Sequence, residues 1–220
     1  MQDSVIIVAG GAGIRMNAGI PKQFMLLRGE PVLMHTIRAF HQCNKNFAII
    51  LALPEEHIST WHDLCRLHDF TIPHTVVAGG TTRTLSVKNA LARVHDDGLV
   101  AVHDGARPMV SAGLIRAAFD AAGKYGNAIP VLPVTESLRE TDHERSFPVD
   151  RTRFRIVQTP QVFQTDKLKA AYASAPGDNY SDDATVLELT GEKIHLMEGD
   201  PKNIKITVMA DLEMAERIFD

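Results

Sequence analysis

The chain has 220 residues, 45% of them apolar, enough for one well-buried core and read as a single domain over 1–220. Its 23 Lys and Arg against 27 Asp and Glu leave a formal charge of −4, which argues against nucleic acid as a partner and requires any anionic ligand to be held by a local cluster of cations. Only Cys43 and Cys65 are present, without C-x-x-C spacing, so neither a disulfide framework nor a zinc knuckle is expected.

Met1–Ser4 leads straight into an apolar run, with no basic leader, and no stretch approaches the ~18 continuous apolar residues of a membrane span. The expected location is the cytoplasm, with no membrane partner. Strand-like runs follow at Val5–Ala9, Phe47–Leu53, Thr75–Ala78, Leu99–His103 and Ala128–Val134. Most are continuously apolar, as in parallel strands buried on both faces. Helical periods lie between them: Pro31 to Gln42, Glu55 to His68, Arg83 to His95, and Ser111 to Lys124 behind a Ser cap. Repeated strand–helix–strand units predict a doubly wound, mostly parallel, Rossmann-like α/β sheet, with ligands beyond the carboxyl ends of the strands.

After Val134 the rhythm breaks. Ser137–Glu140 and Ser146–Arg151 flank the polar "TDHER" and predict a β-hairpin arm inserted at about 134–151. An isolated two-stranded ribbon is marginal in water, so the arm is expected to pack on a second copy of the chain, giving a homodimer. Helices are expected at Thr165–Ser174, Asp182–Thr190 and Ala210–Phe219, with a strand near Lys193–Met197. The ten histidines are read as surface and helix-edge residues.

The first strand empties into "GGAGIRMNAGIPKQF", residues 10–24. The Rossmann fingerprint G-x-G-x-x-G fails because Met16 takes its third glycine slot, and a P-loop fails because no Lys-Ser or Lys-Thr follows the glycines. What remains is a loop whose glycines let backbone amides approach an anion, with Arg15 and Lys22 positioned to grip a triphosphate. On its own the stretch is equally compatible with a structural turn carrying two solvated cations.

The stretch resembles the G-x-G-x-R-M…P-K-Q-F signature of nucleotidyltransferases that move CMP onto a polyol phosphate, above all the 2-C-methyl-D-erythritol 4-phosphate cytidylyltransferases. "PVLMHTIRAF", "GGTTRTLSVKNAL", "VHDGARP", "VDR", "QTPQVF", "SDDA" and "NIKIT" recur in that family's order along nearly the whole chain. The resemblance implies an Mg²⁺-dependent enzyme that binds CTP and a polyol phosphate and releases pyrophosphate.

It also implies roles for particular residues. Ala9, Gly10, Gly11, Gly13, Gly80, Arg83, Ser86 and Gly105 would contact CTP, with the segment around Arg83 and Ser86 reading the cytosine. Asp104 would bind the metal; the residues alone favour a hard-cation ligand at the end of a buried strand over a helix cap or a partner of Arg107. Arg15 and Lys22 would stabilise charge at the reacting phosphorus. Arg107, Ser137, Ser181 and Lys205 would bind the polyol phosphate; read alone, Lys205 in its strand-like context is either a cation snorkelling to the surface or one directed into a site. Arg151, otherwise a solvated cation at the end of the arm, would act across the dimer interface. The other readings are a ribitol 5-phosphate cytidylyltransferase and a nucleotide-binding protein that catalyses nothing.

Overall fold

A computed structural model describes residues 2–10, 20–142 and 144–218. The opening apolar run forms β1 (Ser4–Val8), with Val5 and Ile7 in one buried cluster and Ile6 in another. Both faces of the strand are covered, which is why its sequence shows no polar alternation. Two very short strands, β2 (Leu26–Leu27) and β3 (Glu30–Pro31), then pair around a turn in which Arg28 and Gly29 have φ of 52° and 83°. Positive φ at both central residues matches the twist of a two-residue hairpin.

The alternating frame follows: α1 (Val32–Cys43), β4 (Ala48–Leu53), α2 (Glu55–Leu67), β5 (Thr75–Ala78), α3 (Arg83–Leu91), β6 (Leu99–Asp104), α4 (Ala112–Tyr125) and β7 (Asn127–Pro133). α3 stops short of the expected His95, because the Arg93 and Val94 amides turn back onto the carbonyls of Ala90 and Leu91. The arm is a separate antiparallel pair, β8 (Leu138–Asp142) and β9 (Arg145–Val149). β10 (Arg155–Val157), β11 (Gln161–Gln164), α5 (Thr165–Ser174), α6 (Asp183–Glu188), β12 (Leu196–Glu198) and α7 (Met209–Ile218) complete the chain.

The main sheet runs β10-β7-β11-β6-β1-β4-β5, with β12 also on β7. β1 pairs parallel with β4 and β6, and β4 with β5, whereas β11 lies antiparallel between β6 and β7. One apolar cluster joins the sheet to α1, α2 and α4, the other to α3, α5 and α6, giving the expected three layers and mostly parallel α/β sheet. Among the described residues no helix is long and apolar enough to cross a membrane.

Three expectations need correction. β10 and β11 were not anticipated, since β11 is only four residues long and follows a proline; its Val162 and Phe163 are nonetheless fully buried. The segment around Lys205 is not a strand: it is fastened by the Ile206 amide, which donates to the Ala106 carbonyl at 2.8 Å. His35 and His103 are buried rather than at the surface.

Candidate active site

The sheet reverses its winding at β1, with β4 on one side and β6 on the other, and the carboxyl ends of such strands form a crevice. Hydrogen bonds hold the emerging loops together. The Ala9 amide donates to Ala52, the Gly79 amide to Leu53 and the Gly105 amide to Val8, at 3.0, 2.7 and 2.9 Å. A Cβ on Gly105 would lie 2.9 Å from that of Ala9 and 3.1 Å from Leu33 Cδ1, so a side chain there would push the two strand ends apart.

Between these loops lies a cavity of about 280 Å³ whose walls include Ala9, Gly10, Lys22, Gly80, Arg83, Ser86, Asp104 and Lys205. A second cleft of about 270 Å³ adjoins it, with Arg107, Ser181 and Asp182 in its wall; Arg83, Asp104 and Lys205 line both. Asp104 is the hub. Its Oδ2 lies 2.9 Å from Lys205 Nζ and 3.2 Å from Arg107 Nε, and its Oδ1 3.9 Å from Arg83 Nε. Burial alone would raise its pKa, but Lys205, Arg83 and Arg107 more than offset this and hold the carboxyl well below the usual range.

Arg83 is anchored from behind. Its guanidinium donates to Asp183 at 2.6 Å, and Tyr172 donates its hydroxyl to the other oxygen of that buried carboxylate, also at 2.6 Å. The Asp183 and Ala184 amides donate to Gln161 Oε1, so the turn carrying Asp183 is itself fixed. Burial would lower the pKa of Arg83, yet Asp183 and Asp104 raise it above the ordinary value and keep the guanidinium charged. Burial and Asp183 push the Tyr172 phenol up, so it remains a donor.

Ser86 lies in the wall of the first cavity and is held by its own turn. Its hydroxyl accepts from the Gly80 amide at 3.1 Å and donates to Thr82 O at 2.9 Å, so its single proton is used within the turn. It shapes the Gly79–Thr82 loop from within the wall of the cavity. A Cβ on Gly80 would meet that of Leu85 at 2.3 Å, which accounts for the glycine. Arg107 is buried, donating to Asp104 and to the Asn203 carbonyl, so the sequence alternative of an Asp104–Arg107 pair is realised.

Ser137 and Arg151 are not brought to either cleft. Both are exposed on the arm, where Arg151 donates to the Thr135 carbonyl. Gly11, Gly13 and Arg15 lie outside the described residues. Sequence reasoning missed Tyr172, Asp183, Gln161, His103 and Thr159 as supports of the site. "SDDA" and "QTPQVF" contain three of them, but which side chain each would face is not readable from order alone.

The IspD family model, 2-C-methyl-D-erythritol 4-phosphate cytidylyltransferase, matches residues 4–220. A protein of that name from Bacteroides thetaiotaomicron is 46% identical over 219 residues, covering 100% of both chains. One from Porphyromonas gingivalis is 48% identical over 215 residues, 97% of this chain and 96% of its own. The crystal structure of 2-C-methyl-D-erythritol 4-phosphate cytidylyltransferase from Thermus thermophilus superposes with a TM-score of 0.83 at 35% identity, covering 99% of this chain and 98% of that one.

Proposed function

The chain belongs to the 2-C-methyl-D-erythritol 4-phosphate cytidylyltransferase family and is a nucleotidyltransferase, and from that premise we propose how its two clefts divide the reaction. The cavity at the end of β1 takes CTP and the adjoining cleft takes 2-C-methyl-D-erythritol 4-phosphate. The observation that carries this reading is that both clefts are lined by Arg83, Asp104 and Lys205. A phosphate in each would meet at a shared cationic wall.

An oxygen of the polyol phosphate attacks the α-phosphorus of CTP. The new P–O bond forms as the bond to the β-phosphate oxygen breaks, and pyrophosphate leaves with that electron pair. The chain's task is positioning and charge stabilisation. Lys22, with Arg15 of the glycine stretch, stabilises charge at the α-phosphate and leaving group. Lys205 holds the attacking phosphate, with Arg107, Ser181 and, from the arm of a second copy, Ser137 and Arg151. Gly10, Gly11, Gly13 and Gly80 keep backbone amides within reach of the nucleotide.

Asp104 suits Mg²⁺, which commonly takes one or two carboxylates together with substrate phosphates. Its Oδ1 faces only the distant Arg83 among the described residues, while Oδ2 holds Lys205 and Arg107. When bound, the ion would neutralise charge on the phosphate oxygens. We further take the chain as one cytoplasmic domain with the arm as its insertion and a homodimer as its working state.

Purified protein is given CTP, Mg²⁺ and either 2-C-methyl-D-erythritol 4-phosphate or ribitol 5-phosphate, and pyrophosphate release is followed. The expected result is turnover with the methylerythritol substrate. Preference for ribitol 5-phosphate would overturn the substrate assignment, and binding of CTP without product from either would overturn catalysis.

A further inference from the structure

Gln23 sits in the 3₁₀ turn Lys22–Phe24, beside the lysine assigned to the reacting phosphate. It is 1% exposed, and neither its amide nitrogen nor its amide oxygen has a hydrogen-bond partner among the described residues. The same residue lines the cavity at the end of β1. Burying a polar group without a hydrogen-bond partner is costly, so a carboxamide left without partners on both atoms is a liability unless something completes it. The other unsatisfied side chains among the described residues, Thr165 and Asn203, each lack a partner on a single oxygen and line neither cleft.

We propose that Gln23 is a nucleotide-contacting residue whose amide N–H and carbonyl are both satisfied by a part of CTP that presents a donor next to an acceptor. This rests on the nucleotide site proposed above. A carboxamide offers two N–H donors and one carbonyl acceptor in a fixed plane. Phosphate oxygens only accept, and they would leave the Gln23 carbonyl facing negative charge. The triphosphate is in any case better matched by the ammonium of Lys22, in the wall of the same cavity. The ribose hydroxyls and the cytosine edge each supply a donor and an acceptor side by side, and Gln23 is matched to one of these two. It therefore fixes the nucleoside end of the substrate while the neighbouring Lys22 faces the phosphates.

Gln23→Met keeps the length of the side chain and removes both polar atoms. Binding of CTP, of 2′,3′-dideoxy-CTP and of inorganic triphosphate is measured by calorimetry for wild type and variant, together with melting temperature in the absence of ligand. The expected result is about a tenfold loss of CTP affinity, no loss for triphosphate, and a melting temperature unchanged or raised, because an apolar isostere relieves the unsatisfied amide. A loss that disappears with the dideoxy nucleotide assigns the contact to the ribose, and one that persists assigns it to the base. Equal CTP affinity, or equal losses with all three ligands, would overturn the proposal. So would a fall of several degrees in melting temperature for both Gln23→Met and Gln23→Leu, since the amide would then be a structural group. Failure of the wild type to bind CTP at all would instead sink the nucleotide site itself.

Discussion

His103 shows how a residue outside the reaction can set the geometry within it. Its Nε2 is 3.1 Å from the Arg107 carbonyl, which only accepts, so that nitrogen carries the proton. Nδ1 then accepts from the Thr159 hydroxyl at 3.1 Å, while the same hydroxyl oxygen accepts from the Asp104 amide, also at 3.1 Å. The chain of donors ties the backbone of Asp104 and Arg107 to one neutral imidazole. Burial pushes the pKa of His103 from 6.5 down to about 4. The unfolded chain therefore binds a proton that the folded chain refuses over that interval. The stability due to neutral His103 is intact above about pH 6.5 and is lost as the pH falls towards 4, by up to about 3 kcal/mol. Urea midpoints measured from pH 7 to 4.5 should fall for the wild type, and the fall should be shallower for His103→Asn. Parallel pH profiles would show that other groups carry the acid sensitivity. Asp104, whose pKa is depressed, contributes in the same direction over a lower interval, holding its stabilisation until the pH drops below the pKa of an ordinary carboxylate.

At the scale of elements, the caps were the legible part. Ser111 was read as the cap of the helix that follows it, and its hydroxyl accepts from the Leu114 amide at 3.2 Å. At the other end of α4, Gly126 has φ 90° and ψ −24°, and its amide closes the helix on the Ala122 carbonyl at 2.8 Å. A Cβ there would make only ordinary contacts, the nearest 3.7 Å away, so the cost of a side chain is conformational. Gly126→Ala should destabilise by roughly 1 kcal/mol in chemical denaturation and leave turnover unchanged. A neutral result would mean that the helix end relaxes to another turn. β11 was not legible for the opposite reason: four residues contain too little periodicity to separate strand from loop, and only the flanking strands β6 and β7 supply its partners.

For the whole molecule, the arm poses the main question. Phe147 on β9, Phe154 and the β10 residues Ile156 and Val157 are between 41% and 49% exposed, a run of apolar surface that supports the proposed dimer. If Arg151 works across that interface, each site combines the core of one copy with the arm of the other. Arg151→Ala and Lys22→Ala chains, each nearly inactive, should then recover activity when mixed. Random exchange makes about half of the dimers mixed, with one of two sites intact, so roughly a quarter of wild-type activity is expected. Absence of recovery after verified subunit exchange would confine Arg151 to its own chain or remove it from catalysis.

The amino-acid sequence by itself determined the alternating α/β frame, because strands covered on both faces must be apolar throughout and helices covered on one face must be periodic. It also marked the loops that line the two clefts, through glycines and cations at the ends of strands. Tertiary structure alone decided which groups distant in the chain meet. Arg83 and Asp183 are 100 residues apart and Arg107 and Asn203 are 96 apart, yet both pairs are hydrogen-bonded at the site. It likewise decided that Ser86 closes a turn and that His103 is buried. Such partnerships depend on distances across the sheet, and the chain order of residues carries no record of them until the layers have packed.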